Sequence, residues 1–240
     1  MLTTEGTLLG GRVRYRQPAS GFRSGVEPVL LAASVPARSG DTVLEVGTGA
    51  GGAMLCLSAR IPNCSVTGVE IDPDLAALAA ENTAGNRFFN ARVIRSDIVN
   101  ATFSGPFDHA MANPPYHPAD TPASSDPARS LAKHGSEMLV TGWIGRMAGA
   151  LRRRGTLTLI VGAGMAPACI AAMAAARCRC SVLFPLWPKA GARAKLVILH
   201  GVKDGRSAFA VHAGLVLHQP DGRYTEEAAA ILRGGEALAL

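Results

Sequence analysis

A glycine-rich turn between a predicted strand and a predicted helix constrains the fold of this chain most. The apolar segment Thr42–Val46 is followed by Gly47, Gly49 and Gly52 in the spacing GxGxxG, and a helical pattern then runs to Arg60. Further strands are predicted at 65–70, 91–96 and 107–112, and a further helix at 73–83. Strands that alternate with helices form βαβ units, so the sequence predicts an α/β fold around a parallel sheet.

The flanking segments are predicted to complete a single domain, 1–240, in three parts. Residues 1–40 contain a β-hairpin at 8–23 and a helix at 24–37, residues 41–200 form the core, and residues 201–240 form a C-terminal hairpin and helix. Residues 116–135 lack periodicity and are predicted to be a loop that covers a site or docks a substrate. The other predicted elements are a helix at 136–154 that ends in three arginines, a strand, a helix and a strand up to about residue 185, strands at 194–200 and 209–217 joined by a polar hairpin, and a helix at 225–233.

The composition is that of a folded enzyme with a basic surface. Of 240 residues, 24 are basic and 18 acidic, a net charge of +6 that suggests an anionic partner wherever the basic residues cluster. The five cysteines show no CxxC spacing and the six histidines no paired spacing, so we expect reduced cysteines and no metal site. Glycines and a proline interrupt the uncharged stretch 155–176, which argues against a membrane span. We expect a soluble cytoplasmic protein without a signal peptide, either a monomer or a homodimer.

A stiff turn at the end of the fourth strand carries the clearest chemical signal. Asn113, two prolines and Tyr116 come at the carboxyl end of 107–112, where open α/β sheets place their chemistry. The Asn113 carboxamide and the Pro114 carbonyl can each accept a hydrogen bond from a planar –NH2 group, and Tyr116 can stack on the ring that carries it. Two acceptors stabilise the positive charge that grows on such an amine as it attacks an electrophile. We therefore interpret the turn as catalytic; the alternative is a Pro-Pro turn in which Asn113 only caps a loop.

Carboxylates near the glycine turn favour one class of cofactor over another. Glu70 ends the second strand, where enzymes that bind nicotinamide cofactors or S-adenosylmethionine (AdoMet) place a ribose-binding carboxylate. Glu45, two residues before the turn, adds negative charge that disfavours a pyrophosphate and that a cationic sulfonium tolerates. Asp97, after the third strand, can accept a hydrogen bond from an adenine amino group, with Ile98 as an apolar wall. These features favour AdoMet; at Asp97, ordinary turn chemistry is the alternative.

Two groups of basic residues could contact phosphates of an anionic substrate. Arg12, Arg14 and Arg16 alternate along a predicted strand and therefore share one face. Arg129 and Lys133 lie in the segment that follows the catalytic turn. For the three arginines of the strand, the alternative is a solvated face that protects a sheet edge.

Three motifs, EVGTGAGG at 45–52, VEID at 69–72 and NPPY at 113–116, resemble those of class I AdoMet-dependent methyltransferases that act on planar –NH2 nitrogens. The segments 22–33 and 215–226 are similar to those of bacterial tRNA (adenine-N6)-methyltransferases acting on valine tRNA, so the resemblance covers nearly the whole chain. It implies a Rossmann-like class I fold, a mixed seven-stranded sheet with helices on both faces, AdoMet as methyl donor, and tRNA as partner with adenine 37 as target. It also implies a target-base pocket of Asn113, Pro114 and Tyr116. The implied cofactor contacts are Glu45, Gly47, Gly49, Gly51, Glu70, Ile71, Asp97, Ile98 and Asn113.

Four alternative functions stay open. Protein glutamine N5-methyltransferases use the same turn, since a carboxamide is also a planar –NH2 group, but they resemble one another in a helical N-terminal substrate domain, and only about forty residues precede the glycine turn here. Guanine-N2 methylation of ribosomal RNA is the second, although Phe is more usual there in place of Tyr116. A nicotinamide-dependent oxidoreductase is the third, distinguished by binding NAD rather than AdoMet. A non-catalytic RNA-binding module is the fourth, and the intact Glu70, Asp97 and Asn113 argue against it.

Overall fold

The computed structural model of the chain describes residues 1–20, 25–114 and 127–240, with side-chain surroundings from residue 138 onward in the last range. The strands are β1 Thr3–Leu8, β2 Val13–Pro18, β3 Thr42–Val46, β4 Ser65–Glu70, β5 Ala91–Arg95, β6 Phe107–Ala112, β7 Leu151–Gly162, β8 Cys178–Lys189, β9 Leu196–Lys203, β10 Ala210–Val211 and β11 Leu215–His218. The helices are α1 Glu27–Ser34, α2 Gly52–Arg60, α3 Pro73–Gly85, α4 Pro127–Ala150, α5 Ala166–Ala175 and α6 Glu226–Ala229, which a π-helical turn, Ala230–Gly234, continues. Tyr116 and the predicted loop up to residue 126 lie outside the described residues.

The main sheet has the mixed, Rossmann-like arrangement predicted from the sequence. Seven strands follow the order β5–β4–β3–β6–β7–β9–β8, in which the neighbours are parallel except where β9 pairs with β7 and β8. Two short strands, β10 and β11, extend this order because both pair in parallel with β8. Strands β1 and β2 form a separate antiparallel hairpin. The predicted seven-stranded sheet is therefore present, with two short strands added at one edge.

The strands near the C-terminus pair differently from the prediction. The predicted hairpin between 194–200 and 209–217 is wrong, because β9 pairs with β7 and β8 while β10 and β11 pair with β8. Three consecutive residues of β9, Val197, Ile198 and Leu199, are each no more than 4% exposed. A strand that buries consecutive side chains is covered on both faces, which favours a place inside the sheet over a place at its edge.

Helix α4 begins earlier and ends earlier than predicted. It starts at Pro127, so the prediction of a loop up to residue 135 is wrong for 127–135, and it ends at Ala150. One glycine inside a helix costs only about 1 kcal/mol relative to alanine, so Gly135 does not end it. The prediction that Arg152, Arg153 and Arg154 form the C-terminal end of this helix is also wrong. They lie in β7, where the Arg152 guanidinium donates to the Asp108 carboxylate.

The N-terminal hairpin and α1 also have different bounds. Thr3 pairs with Pro18, and the chain turns at Leu9–Gly11, where Gly10 and Gly11 have φ of +63° and +96°. These left-handed conformations suit glycine, so the hairpin turns there and its strands span Thr3–Pro18, against the predicted 8–23. Helix α1 ends at Ser34 because Pro36 disfavours a helical conformation of Val35, which is extended (φ −77°, ψ 122°).

Helices pack on both faces of the main sheet. Val43 and Leu44 of β3 are both fully buried and point to opposite faces. Val43 packs in a cluster with residues of α1, α2 and α3, and Leu44 in a second cluster with residues of α4 and α5. All five cysteines are buried and free, as expected. None of the helices within 1–20, 25–114 and 127–240 is long and apolar enough to cross a membrane.

Candidate active site

The carboxyl ends of four parallel strands bring most of the predicted site residues to one edge of the sheet. Val46 of β3 is in register with Ala112 of β6 and with Val69 of β4. The next residues in the chain, Gly47, Asn113 and Glu70, therefore come together where these strands end. Glu70 is in turn in register with Arg95 of β5, and its carbonyl accepts from Ser96 N at 2.9 Å, so Asp97 follows at the same edge.

The glycine turn uses most of its own amide groups inside the protein. Gly47 N and Thr48 N both donate to Val69 O, at 2.9 and 3.1 Å, and Gly51 N donates to Thr48 O at 2.8 Å. Gly49 N donates to the Glu70 carboxylate at 2.8 Å. Gly47, Gly49 and Gly51 have φ of +68°, +56° and +90°, a conformation that glycine adopts without steric cost. A pyrophosphate-binding turn needs unpaired amides that point at the ligand. Four engaged amides therefore argue against a dinucleotide cofactor.

Glu45 lies beneath the turn as a buried and largely neutral carboxyl group. Its side chain is 3% exposed and accepts a hydrogen bond from Thr48 Oγ1 at 2.7 Å. Burial raises the pKa of Glu45 from 4.5 to about 8, against the lowering effect of the Thr48 hydrogen bond. At neutral pH the group is mostly protonated, so Glu45 does not supply the negative charge that the sequence analysis used to disfavour a pyrophosphate. A nearby cation would restore the negative charge, because it favours the ionised form.

Glu70 and Asp97 are each oriented by backbone amides. The two oxygens of Glu70, which is 8% exposed, accept from Gly49 N at 2.8 Å and from Asp72 N at 3.0 Å. Each carboxylate oxygen can accept a second hydrogen bond, so Glu70 keeps acceptor capacity for hydroxyl groups. Asp97 Oδ1 accepts from Val99 N at 3.0 Å. This hydrogen bond belongs to the turn, which is the alternative role given for Asp97 in the sequence analysis. It leaves Oδ2 as an acceptor for a ligand.

The two isoleucines assigned to the cofactor have different surroundings. Ile98 is 3% exposed and packs in the core with residues of α4, so its side chain offers almost no surface to a ligand. Ile71, directly after Glu70, is 64% exposed. Ile71 is therefore the better apolar wall at this edge. Asp72 caps α3 by accepting from Asp74 N and Leu75 N at 2.8 and 3.0 Å.

Asn113 presents a buried acceptor whose partner is missing among the described residues. Its Oδ1 is buried and receives no hydrogen bond within 1–20, 25–114 and 127–240. Leaving such an atom unpaired costs about 1–3 kcal/mol, which a ligand that donates a hydrogen bond recovers. Pro114 is buried beside it, and Tyr116 lies outside the described residues.

A cleft of about 250 Å³ lies between the glycine turn, Asn113 and the N-terminal hairpin. Glu45, the glycine turn and Asn113 line one side of it. Tyr15, Gln17 and Met1 line it as well, and no pattern in the sequence predicts them here. The link is Asn82 of α3, whose side-chain Nδ2 donates to Arg16 O at 2.8 Å and to Ala50 O at 2.9 Å. A non-local contact of this kind has no signal in the sequence.

Trp143 of α4 is a further residue beside the glycine turn that the sequence did not predict there. Its indole ring packs on Gly47, where a Cβ atom would lie only 2.5 Å from the ring. Gly47 is therefore required both for its positive φ and for this close approach. In the sequence, Trp143 is indistinguishable from an ordinary core aromatic residue of a helix.

The three arginines of the hairpin bind groups of the protein itself. Arg12 Nη2 donates to Gly234 O at 2.6 Å, Arg14 Nη2 donates to Gly85 O, and Arg16 Nη1 pairs with Glu81 at 2.9 Å. These contacts within the protein differ from the solvated face that was the alternative for the three arginines, and the RNA contacts stay a prediction. Arg129 and Lys133 lie in α4, but their side chains are outside the described part of the chain. No group of three His, Cys, Asp or Glu side chains suited to a metal ion occurs in that part.

Comparisons with known proteins point to one kind of enzyme. The family model described as "Methyltransferase small domain" matches residues 27–160. The chain is 30% identical to the tRNA1(Val) (adenine(37)-N6)-methyltransferase of Tolumonas auensis over 222 residues, 88% of each chain. It is 28% identical to the enzyme of that name from Aeromonas hydrophila over 207 residues, 85% of this chain and 86% of the relative.

Two further comparisons concern the fold and a different substrate. A predicted O-methyltransferase of Agrobacterium tumefaciens has the same fold, with a TM-score of 0.73 at 21% identity, over 89% of this chain and 99% of that one. A release factor glutamine methyltransferase of Deinococcus radiodurans is 39% identical over 85 residues only, 35% of this chain and 30% of that protein. The similarity to this relative is therefore confined to a segment.

Proposed function

Because the chain belongs to the small-domain methyltransferase family, we propose that it transfers a methyl group from AdoMet to N6 of an adenine in tRNA. The family model includes both the glycine turn and Asn113. Relatives that match 85% and 88% of the chain are named for adenine 37 of valine tRNA, which is the target that we propose. The observation that carries the proposal is the buried Oδ1 of Asn113, which lacks a donor among the described residues.

The residues at this edge of the sheet, in the cleft and beside it, suit AdoMet. Glu70 would bind the ribose hydroxyl groups through its remaining lone pairs, and Asp97 Oδ2 would accept from the adenine amino group of the cofactor. Ile71 would cover the adenine ring with its exposed side chain, and Glu45 would ionise opposite a cationic group. AdoMet supplies a methyl group that is already activated by its sulfonium.

Asn113 is proposed to hold and polarise the target amine. Its Oδ1 accepts one hydrogen of the –NH2 group and the Pro114 carbonyl accepts the other, which localises the nitrogen lone pair towards the methyl group. Because Asn113 Oδ1 is buried, the hydrogen bond acts in a low dielectric, where it stabilises the growing positive charge more than it would in water. The adenine has to leave its stack to reach this position. Stacking on Tyr116 stays a prediction.

The alternatives are less well supported. Glutamine methylation needs the same acceptors, but the similarity to a glutamine methyltransferase covers 35% of the chain, against 88% for a tRNA enzyme. A nicotinamide enzyme is disfavoured by the four engaged amides of the glycine turn. Guanine-N2 methylation uses the same chemistry on another base, so only product analysis separates it from the proposal.

The proposal is tested by methyl transfer from labelled AdoMet to total bacterial tRNA, with digestion to nucleosides and identification of the product. We expect N6-methyladenosine. In Asn113→Ala, kcat should fall by about 100- to 1,000-fold, the effect of losing one preorganised polar contact to the transition state. The AdoMet Kd should stay within about threefold of wild type, because Asn113 is assigned mainly to the amine.

Asn90→Ala is the matched control, since Asn90 is an exposed asparagine whose side chain plays no part in the site. It should methylate tRNA like the wild type. Equal losses of turnover and AdoMet binding in Asn113→Ala would contradict the role given to Asn113. Label found in ribosomal RNA or protein, and not in tRNA, would overturn the substrate and leave the chemistry of the turn in place.

A further inference from the structure

A groove lined by arginines lies at the edge of the sheet opposite the candidate active site. It has a volume of about 770 Å³ and is bounded by Arg153, Arg177, Arg179, Asp204 and Arg206, which together are called the arginine groove. Strands β7 and β8 begin where the antiparallel β9 ends. The turns at these three strand ends therefore bring the five side chains together.

The arginine groove is too far from Asn113 to be part of the methyl-transfer cleft. Leu151 of β7 is in register with Phe107 and Thr156 with His109, and Arg153 lies between Leu151 and Thr156 in the chain. Phe107 and His109 precede Asn113 by six and four positions, so at about 3.3 Å per residue Arg153 is about 13–20 Å from Asn113 along the strands. Any ligand that touches both places must be an extended one.

The charge of the arginine groove is largely unbalanced. Arg177 Nη2 pairs with Asp204 Oδ1 at 2.8 Å, and the Arg177 side chain is still 79% exposed. Arg153, Arg179 and Arg206 are exposed, and the described residues give their guanidinium groups no hydrogen-bond or ion-pair partner. The hairpin arginines differ in this respect, because each binds a carbonyl or a carboxylate of the protein. Guanidinium groups that converge on one concavity repel each other unless a polyanion binds between them.

We infer that the arginine groove binds the phosphate backbone of the substrate RNA, about 13–20 Å from the base that is methylated. This inference rests on the proposed function. The planar fork of a guanidinium group binds phosphate oxygens in pairs, and several arginines in a concave surface follow a backbone without reading its sequence. RNA helices are A-form and expose their phosphates along the whole stem, so a stem of several base pairs covers a distance of this size. A folded RNA can therefore reach the groove while its target base lies at Asn113.

The test is a double variant, Arg179→Gln with Arg206→Gln, which removes two charges without breaking an ion pair in the described structure. For full-length tRNA at about 0.15 M salt, we expect Kd and KM to rise about tenfold and the slope of log K against log salt to become shallower by about 1.5. The AdoMet Kd and the kcat at saturating tRNA should stay within twofold. Binding of a minimal RNA hairpin with a stem of about three base pairs, which is too short to reach from Asn113 to the arginine groove, should not change.

The control is Arg38→Gln with Arg87→Gln, which removes the same charge from exposed arginines near the starts of β3 and β5. It should bind tRNA within twofold of wild type. Equal losses in the two double variants would mean that net charge alone matters and would overturn the inference. Unchanged tRNA binding in the groove variant, together with loss of a thermal stabilisation by tripolyphosphate seen in the wild type, would assign the groove to a small anion instead.

Failure of the inference and failure of the proposed function give different results. A wild-type protein that methylates no RNA refutes the proposed function. In that event, the tRNA affinities of the wild type and the groove variant still test the inference, since equal affinities would mean that the arginine groove does not bind RNA. A wild type that methylates tRNA, with a groove variant that shows the same KM for tRNA, refutes the groove alone.

Discussion

At the scale of single residues, two buried oxygen-bearing groups define the chemistry of the cleft. Asn113 Oδ1 has no donor among the described residues, and the Glu45 carboxyl is 3% exposed with a raised pKa. Neither arrangement favours folding, because an unpaired acceptor and a buried carboxyl both lose solvation by water. Their partners in the working enzyme are proposed to be an amine and a cation. Groups that destabilise a fold in this way are often found at functional sites.

Glu45→Gln is predicted to remove a pH dependence of stability. Burial raises the folded-state pKa of Glu45 from 4.5 to about 8, so between these values the unfolded chain releases a proton that the folded chain keeps. The contribution of Glu45 to the free energy of unfolding should therefore fall as pH rises from 4.5 to 8, by at most about 5 kcal/mol. The glutamine variant lacks this titration, so its free energy of unfolding should rise relative to that of the wild type as the pH is raised to 8.

Urea denaturation at pH 4.5, 6 and 8 measures the effect in both proteins. The slopes of the free energy of unfolding against pH are compared, because a difference in stability between a carboxyl and an amide that does not depend on pH leaves the slope unchanged. Parallel slopes would mean that Glu45 ionises near its ordinary pKa in the folded protein.

At the scale of elements, a row of polar side chains crosses β6, β7 and β9 inside the sheet. His109 bonds to Asp41 at 3.1 Å and to Thr156 at 2.8 Å. On the next pair of strands, His200 Nδ1 bonds to Thr158 Oγ1 at 2.9 Å. Thr156 and Thr158 are two positions apart on β7 and therefore point to the same face. The row gives these central strands specific partners that apolar side chains would not supply.

His200→Gln is predicted to remove a loss of stability in acid. Burial, and secondarily His109, lower the pKa of His200 from 6.5 to about 4. Between these values the unfolded chain binds a proton that the folded chain does not, so the contribution of His200 to stability falls as pH falls from about 6.5 to 4, by about 3 kcal/mol. The variant should show a smaller fall over this range.

Thermal unfolding between pH 7 and 4.5 measures this fall. His212→Gln is the control, since His212 lies outside the polar row and bonds to neither threonine. An acid response of His200→Gln equal to that of the wild type would mean that other groups cause the instability.

At the scale of the whole molecule, the two ends of the chain are packed together behind the cleft. Leu9 and Val13 of the hairpin share a core cluster with Ile231 and Leu238. Arg12 Nη2 donates to Gly234 O at 2.6 Å. The N-terminal hairpin that lines the cleft is thus held in place by the last helix. Loss of the contacts between the two chain ends is therefore expected to change the shape of the cleft.

Arg12→Met is predicted to lower stability rather than RNA affinity. Methionine keeps much of the apolar stem but cannot donate to Gly234, so the free energy of unfolding should fall by about 1–2 kcal/mol. The tRNA Kd should stay within twofold. Urea denaturation and tRNA titration measure the two quantities, with Arg38→Met as the control for loss of an exposed charge. Unchanged stability with weaker tRNA binding would support the RNA contact predicted from the sequence.

The sequence by itself determined the strands that build the site. Strands β3, β4 and β6 have the predicted bounds, 42–46, 65–70 and 107–112. Each is a short apolar run that ends in glycine, an acidic residue or proline, so its limits follow from local chemistry. The order of these strands in a parallel sheet then places Gly47, Glu70 and Asn113 at one edge, which is why motifs read along the chain located the site.

Only the tertiary structure decided which partners each group has. The insertion of β9 between β7 and β8, the carbonyl bound by Arg12, the neutral state of Glu45 and the convergence of the arginine groove all depend on residues far apart in the chain. Local sequence reports the type of a side chain but not its solvation. Burial and long-range pairing set the charge and the availability of each group, and these properties appear only when the chain is folded.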